Sequence, residues 1–354
     1  MLSIIAVHSG NAFGLVHFNS KLGIALVMPF KFATIGFFLI SGFLLGERVD
    51  RRDPVEYFMR RFKRVFWPWL FWFGMMCAVL VIREFVFRPG ANAWENLHIG
   101  YVTSKAILIG TAFWFVPNLL LCIAILLAFR RYLYSLMLGL VLLLANLVYV
   151  VNIYAHWFPT LHSQALFGFV FYLWLGSYAA QNFERISDVL SRIPTTALVA
   201  TSLISGVAAY FESSLLFSLH NPDPINTLRF TNQVFSISMV LMIFKFRRAT
   251  WPGFLDVRRD TFGLYLSHSI VLLLLMRLLR NSSRWVPGLR SVPNFEGVIL
   301  WIAVSVVTYG SCLMGIMWLA RRPSLQWMVG LVSEDSPARR DLDVRDAKGI
   351  LVSQ

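Results

Sequence analysis

Residues 297–320 read GVILWIAVSVVTYGSCLMGIMWLA, an apolar run without one charged side chain. A helix needs roughly 20 apolar residues to cross the hydrocarbon core of a bilayer. The run is therefore long enough to span, and no soluble core of ordinary size demands such a block. Working back along the chain, similar blocks recur at roughly 2–18, 25–46, 65–87, 106–129, 133–151, 163–181, 195–217, 229–246 and 261–279. Together they predict an all-α integral membrane protein with about ten transmembrane helices.

The composition agrees. Of 354 residues, 57% are hydrophobic and only 14% are charged, where a soluble domain carries about a quarter. The net charge of +14, from 32 Lys+Arg against 18 Asp+Glu, does not point to nucleic acid, because the basic residues are split among short loops. With alternating helices and a cytoplasmic start, 22 basic residues fall on the inner side and nine on the outer, Lys31 lying within the second helix. That bias is the one that orients membrane proteins, and it places both termini in the cytoplasm. The first apolar run starts at Met1 and is interrupted by His8, Ser9, Gly10 and Asn11, so a short first helix is expected. Residues 1–320 form the predicted transmembrane domain, and 321–354 read as a polar cytoplasmic tail. Cys77, Cys122 and Cys312 sit in apolar runs with neither a disulfide pattern nor metal-like spacing, and no metal site is expected. No internal repeat is visible, which weighs against transporter folds built from duplicated halves.

Polar groups inside a bilayer are costly and are functional candidates for that reason. His8 has an imidazole suited to act as a base toward a hydroxyl; a helix–helix hydrogen bond is the plainer alternative. Lys31 is expected to snorkel or to pair with a carboxylate. Glu212 stands in the outer half of the seventh segment. Tyr265 and His268, three apart, share a helix face, where they either line a polar cavity or bond to neighbouring groups. Arg60, Arg61, Lys63 and Arg64 can bind phosphates or simply anchor the chain at the inner face. Trp67, Trp69 and Trp72 read as an interfacial belt.

Several stretches, taken in order, resemble the membrane-bound acyltransferase family 3. They are LSIIAVHSG with its first-helix histidine, the Phe-x-Ile-Ser-Gly-Phe signature from Phe38 to Phe43, the Arg-x-x-x-Pro pattern of Arg64 and Pro68, the Trp-Phe-x-Pro block at Trp114, Phe115 and Pro117, and the Tyr-Leu-x-His block at Tyr265, Leu266 and His268. The resemblance implies an O-acyltransferase that takes an acyl group, most often acetyl and in some cases succinyl, from cytoplasmic acyl-CoA. The acceptor it implies is a hydroxyl of an exported or lipid-linked cell-envelope polysaccharide. By the same resemblance His8 is catalytic, Arg60, Arg61 and Arg64 bind acyl-CoA, and Ser41, Trp114, Tyr265 and His268 line a substrate tunnel. No cofactor is bound; acyl-CoA is the donor substrate. The expected surroundings are the bacterial inner membrane and its lipid bilayer, with a polysaccharide-synthesis complex as a partner. The sequence departs from the family in one place: an arginine usual about eleven residues before the histidine has no position here, because seven residues precede His8. A polytopic transporter or flippase for a glycan or lipid is the alternative.

Overall fold

The computed structural model describes residues 1–13, 21–47, 53–87, 92–162, 165–246, 257–282 and 295–331. Every regular element among them is helical. In chain order these are α1 (Leu2–Phe13), α2 (Lys21–Val27), α3 (Ala33–Gly46), α4 (Pro54–Phe87), α5 (Ala93–Gly110), α6 (Phe115–Ala128), α7 (Leu136–Ala155), α8 (Leu166–Gln181), α9 (Phe183–Arg192), α10 (Thr195–Ser218), α11 (Phe230–Lys245), α12 (Val257–Ser282) and α13 (Phe295–Ala320). Each of the ten apolar runs contains one of these helices or a broken pair. Among the described residues six spans are long and apolar enough to cross a membrane, or seven if α5 and α6, bent by 77° at their junction, are counted as one. The protein is thus a multi-pass membrane protein, and α1, α8 and α11 are shorter than a full span.

The distribution of side chains is that of a molecule dissolved in lipid. Leu203, Ile204, Phe211 and Leu215 of α10, and Met314 of α13, each expose more than half their surface. The interior meanwhile holds Ser177, Ser205, Asn146, Asn232, Ser236 and Thr308, all buried. With hydrocarbon outside, apolar burial gives little drive between helices, and small residues and interhelical hydrogen bonds take over. α3 and α8 make the closest crossing: Ser177 donates to the carbonyl oxygen of Gly42 at 2.9 Å, and Phe38 stacks on Phe169 with ring centroids 4.7 Å apart.

Helix breaks are tolerated where side chains take up the freed backbone groups. At the α5–α6 bend, Trp69 donates its indole N–H to the Phe113 carbonyl at 2.9 Å, and the Tyr265 hydroxyl donates to the Ala112 carbonyl. The expected tryptophan belt is therefore corrected in part. Trp67 is exposed, whereas Trp69 and Trp72 are buried, and Trp72 donates to the Met328 carbonyl at 2.9 Å. An indole N–H inside the bundle needs an acceptor, and broken helix and terminal turn supply one each. The stretch read as a tail accordingly begins with a packed turn, Pro323–Val329, whose Trp327 meets Phe71 edge-on at 5.5 Å; residues 332–354 lie outside the described residues.

α9 is not one of the ten apolar runs. FERISDVLSR collects Phe183, Ile186 and Leu190 on one face and its charges on the other, the pattern of a helix lying in a membrane surface. The Lys245 ammonium donates to the carbonyls of Leu190 and Ile193 at its C-terminal end.

Glu212, a candidate on sequence grounds, forms an ion pair with Arg229 at 3.0 Å. The Arg229 side chain is fully buried and also donates to the carbonyls of Asn226 and Ala209 and to Met28 Sδ. Tyr154 and Thr231 donate their hydroxyl protons to Glu212. Arg229, counted with the outer-loop charges on sequence grounds, instead locks α10 to α11 and to the α2–α3 break. Breaking a buried pair leaves one charge uncompensated. Arg229→Met is expected to cost about 3–5 kcal/mol, read as a fall in the unfolding midpoint in detergent, with part of the loss recovered in Arg229→Met/Glu212→Leu.

Candidate active site

α1 is short, yet it is held firmly. Trp301 of α13 donates its indole N–H to the Ala6 carbonyl at 2.8 Å, and the hydroxyls of Ser9 and Ser305 are 2.6 Å apart. These contacts orient the helix so that His8 faces α12. There its ring lies 5.2 Å from that of His268, tilted by 47°. The two histidines, separated by most of the chain, form the centre of the candidate site.

His268 is fully buried, and its tautomer is set by the backbone. Nδ1 donates to the carbonyls of Tyr265 at 2.6 Å and Leu264 at 3.2 Å. A neutral imidazole that donates through Nδ1 carries its lone pair on Nε2. His8 keeps some accessible surface and makes no hydrogen bond among the described residues, so both its ring nitrogens are open to a ligand. The open alternative from the sequence, a helix–helix hydrogen bond at His8, is not what the structure contains; Ser9 makes that bond.

Tyr265 and His268 do share a face, but they are used differently. The Tyr265 hydroxyl is occupied at Ala112, and through that bond it fixes the 3-10 turn Ala112–Trp114. The turn in turn presents Trp114, whose ring is 5.5 Å from His162 and 5.4 Å from Phe169. Ser41 is half-buried on α3 and makes no polar contact with the histidines among the described residues.

His162, which stands between the apolar runs 133–151 and 163–181, is brought into this group by the chain between α7 and α8. Asn118 donates to its carbonyl at 3.3 Å, and its Nε2 lies 3.1 Å from Thr227 Oγ1. Burial holds the imidazole at about 4, below its usual value, while Asp223 acts in the raising direction and Lys31 lowers it further. The unfolded chain therefore takes up this proton near 6.5 while the folded protein refuses it. Stability from His162 is present above that range and is lost as pH falls from about 6.5 toward 4. Unfolding midpoints measured between pH 7.5 and 4.5 are expected to fall more steeply for wild type than for His162→Gln. Parallel curves would mean that the ring is not protected from protons.

Lys31, expected to snorkel or to pair with a carboxylate, forms no side-chain hydrogen bond or ion pair among the described residues; its backbone N–H donates to the Met28 carbonyl at 3.1 Å.

The basic residues lie at one end of α4. Arg60, Arg61 and Arg64 occupy an arc of about 100° of the helix. Arg60 pairs with Glu56 at the surface, and Arg61 donates to the Tyr57 hydroxyl at 3.1 Å. Gly330 lies between this end of α4 and α12, near the Arg64 carbonyl and the Phe262 ring. Phe262 is about 9 Å along the axis of α12 from His268. The arginine end of α4 thus lies close to the N-terminal part of α12, the helix that carries His268. Among the described residues no group of three or more His, Cys, Asp or Glu is placed to hold a metal ion.

Comparison with known proteins places this arrangement. Part of the chain is similar to the probable poly-beta-1,6-N-acetyl-D-glucosamine export proteins of Staphylococcus aureus strains MSSA476 and MRSA252, with 26% identity over 123 residues, 33% of this chain and 33% of theirs. The matched part thus spans about a third of the length of these curated relatives. No solved structure matches significantly. The profile of the acyltransferase domain, however, matches residues 1–317, nearly the whole described bundle with both histidines. The chain belongs to acyltransferase family 3.

Proposed function

We propose that the protein is an O-acyltransferase that moves an acyl group, acetyl in the first instance, from acyl-CoA to a hydroxyl of a cell-envelope polysaccharide. The observation that carries this reading is the His8–His268 pair, set inside the acyltransferase domain with one tautomer fixed. His8 removes the proton from the acceptor hydroxyl as its oxygen attacks the thioester carbonyl. The C–S bond then breaks, and the imidazolium returns the proton to the CoA thiolate. The lone pair of His268 Nε2 lies 3.5 Å from Ser269 Oγ; rotation of the His8 ring brings its other N–H toward that lone pair, which then holds the attacking nitrogen toward the hydroxyl.

The donor approaches from the end carrying Arg60, Arg61 and Arg64, whose guanidinium groups suit the CoA phosphates. That end is cytoplasmic by the excess of basic residues, and ten helical passes through a bacterial inner membrane follow, with both termini inside. The relatives' name adds a polysaccharide as the material handled, and it favours a second reading in which the chain moves glycan without acylating it.

One experiment separates the two. The gene is deleted in its host, and ester-linked acyl groups on surface polysaccharide are compared by NMR before and after complementation. Loss of one ester, restored by wild type, supports the transferase. Unchanged esters with reduced glycan at the surface support export instead.

A further inference from the structure

Two helix breaks and two loops bring a second group of polar side chains together. The break between α2 and α3, at Met28–Phe30, ends in Lys31. The segment after α7 supplies His162, the segment before α11 supplies Asp223, and the α5–α6 bend supplies Trp114. All four side chains keep some accessible surface although they lie within the assembly of helices. The Lys31 side chain has no hydrogen-bond or ion-pair partner among the described residues. Asp223 accepts from Asn226 at 2.7 Å through Oδ2, and Oδ1 has no partner among the described residues. Arg229 ties the two charges to one place, donating to Met28 Sδ, three residues before Lys31, and to the Asn226 carbonyl, three residues after Asp223, yet Lys31 and Asp223 form no ion pair among the described residues.

Two opposite charges held apart inside a protein are costly unless something bridges them. We propose that Lys31 and Asp223 form the acceptor seat, a two-armed clamp for an uncharged sugar ring with adjacent hydroxyls, laid against the wall of Trp114 and His162. The inference rests on the acyltransferase reading above. The Lys31 ammonium donates to one hydroxyl oxygen, and the neighbouring hydroxyl donates its proton to Asp223 Oδ1. The apolar C–H face of the ring then lies on the indole. An anionic sugar fits less well: Asp223 repels it, and the one other cation near by, Arg229, is already matched by Glu212. The clamp also stands beside the helix of the catalytic base, since Phe30, next to Lys31, meets edge-on the Trp301 ring that holds Ala6 of α1.

The test uses the full chain in lipid nanodiscs with acetyl-CoA and three surrogate acceptors: methyl β-N-acetylglucosaminide, methyl β-glucoside and methyl β-glucuronide. Lys31→Met and Asp223→Asn are each expected to raise KM for the neutral glycosides by about tenfold or more, the loss of a charged hydrogen bond, with KM for acetyl-CoA unchanged. Lys31→Arg is expected to retain most of the affinity. A parallel rise in both KM values, or a preference for the glucuronide, would overturn the clamp. Binding of the same glycosides, followed by saturation-transfer NMR without acetyl-CoA, keeps the two readings separate. If wild type binds the neutral glycosides and both variants bind weakly, the seat stands even where no transfer is seen and the acyltransferase reading fails. If wild type does not bind them, or the variants bind equally well, the seat is wrong.

Discussion

His8→Ala is expected to lower acyl transfer by about 10²–10⁴-fold, measured as CoA thiol released in the presence of acceptor, while leaving the fold intact. The two halves of this expectation have separate grounds. The side chain makes no hydrogen bond among the described residues, and α1 is held instead by Trp301 to Ala6 and by Ser9 to Ser305. Removing the ring therefore takes away no anchor of the helix. What it does remove is the ring that lies 5.2 Å from that of His268. His268→Ala is expected to give a smaller loss, because that ring acts through His8. Turnover by His8→Ala within a few-fold of wild type, in protein of normal unfolding midpoint, would refute the base assignment.

The second large effect concerns folding. Gly42→Ala and Gly176→Ala are each expected to destabilise the protein by about 3 kcal/mol or more. A Cβ on Gly42 would fall on the Leu173 carbonyl, and one on Gly176 on the Leu39 carbonyl, while one on Gly46 would sit 2.6 Å from the Ser177 carbonyl oxygen. In each case the obstacle is backbone, which cannot swing aside as a side chain can. The motif is small-xxx-small on both partners, Gly42 to Gly46 on α3 and Gly176 to Ala180 on α8. Such a crossing lets two helix backbones touch, and it draws its energy from that contact. Gly74→Ala and Gly310→Ala supply the control, since a Cβ at either would meet nothing within 4 Å. Both are expected to be neutral or slightly stabilising, as alanine is the better helix former. Equal behaviour of the two pairs in thermal unfolding would show that the α3–α8 approach is not as close as drawn.

Much of this was readable in the sequence, and the reason lies in which features are local. Apolar runs report bilayer length directly, so 297–320 and 133–151 could be read as spanning helices one residue after another. The family blocks are local as well, and His8, Trp114, Tyr265 and His268 all carry a signature within a few residues. Gly42 and Gly46 are just as local, but their close crossing with α8 was read only from the structure. Glu212 stood out as a charge in an apolar run, but its partner Arg229 stands at the edge of the next run. The 16-residue α8 and 12-residue α1 gave runs whose edges blurred into their loops.

The sequence by itself determined the solvent, the helical class and the family, because each depends on composition and short spacing. The tertiary structure alone decided the site. Nothing in the linear order says that a histidine in α1 meets one in α12, or that Asp223 and Lys31 face each other across a gap. Those meetings depend on how α1 packs against α12 and α13 and on where broken helices bring their ends. Helix packing in lipid is chosen by small residues and interior hydrogen bonds rather than by hydrophobic pattern. The pattern therefore announces that there are helices in a membrane without saying which faces meet.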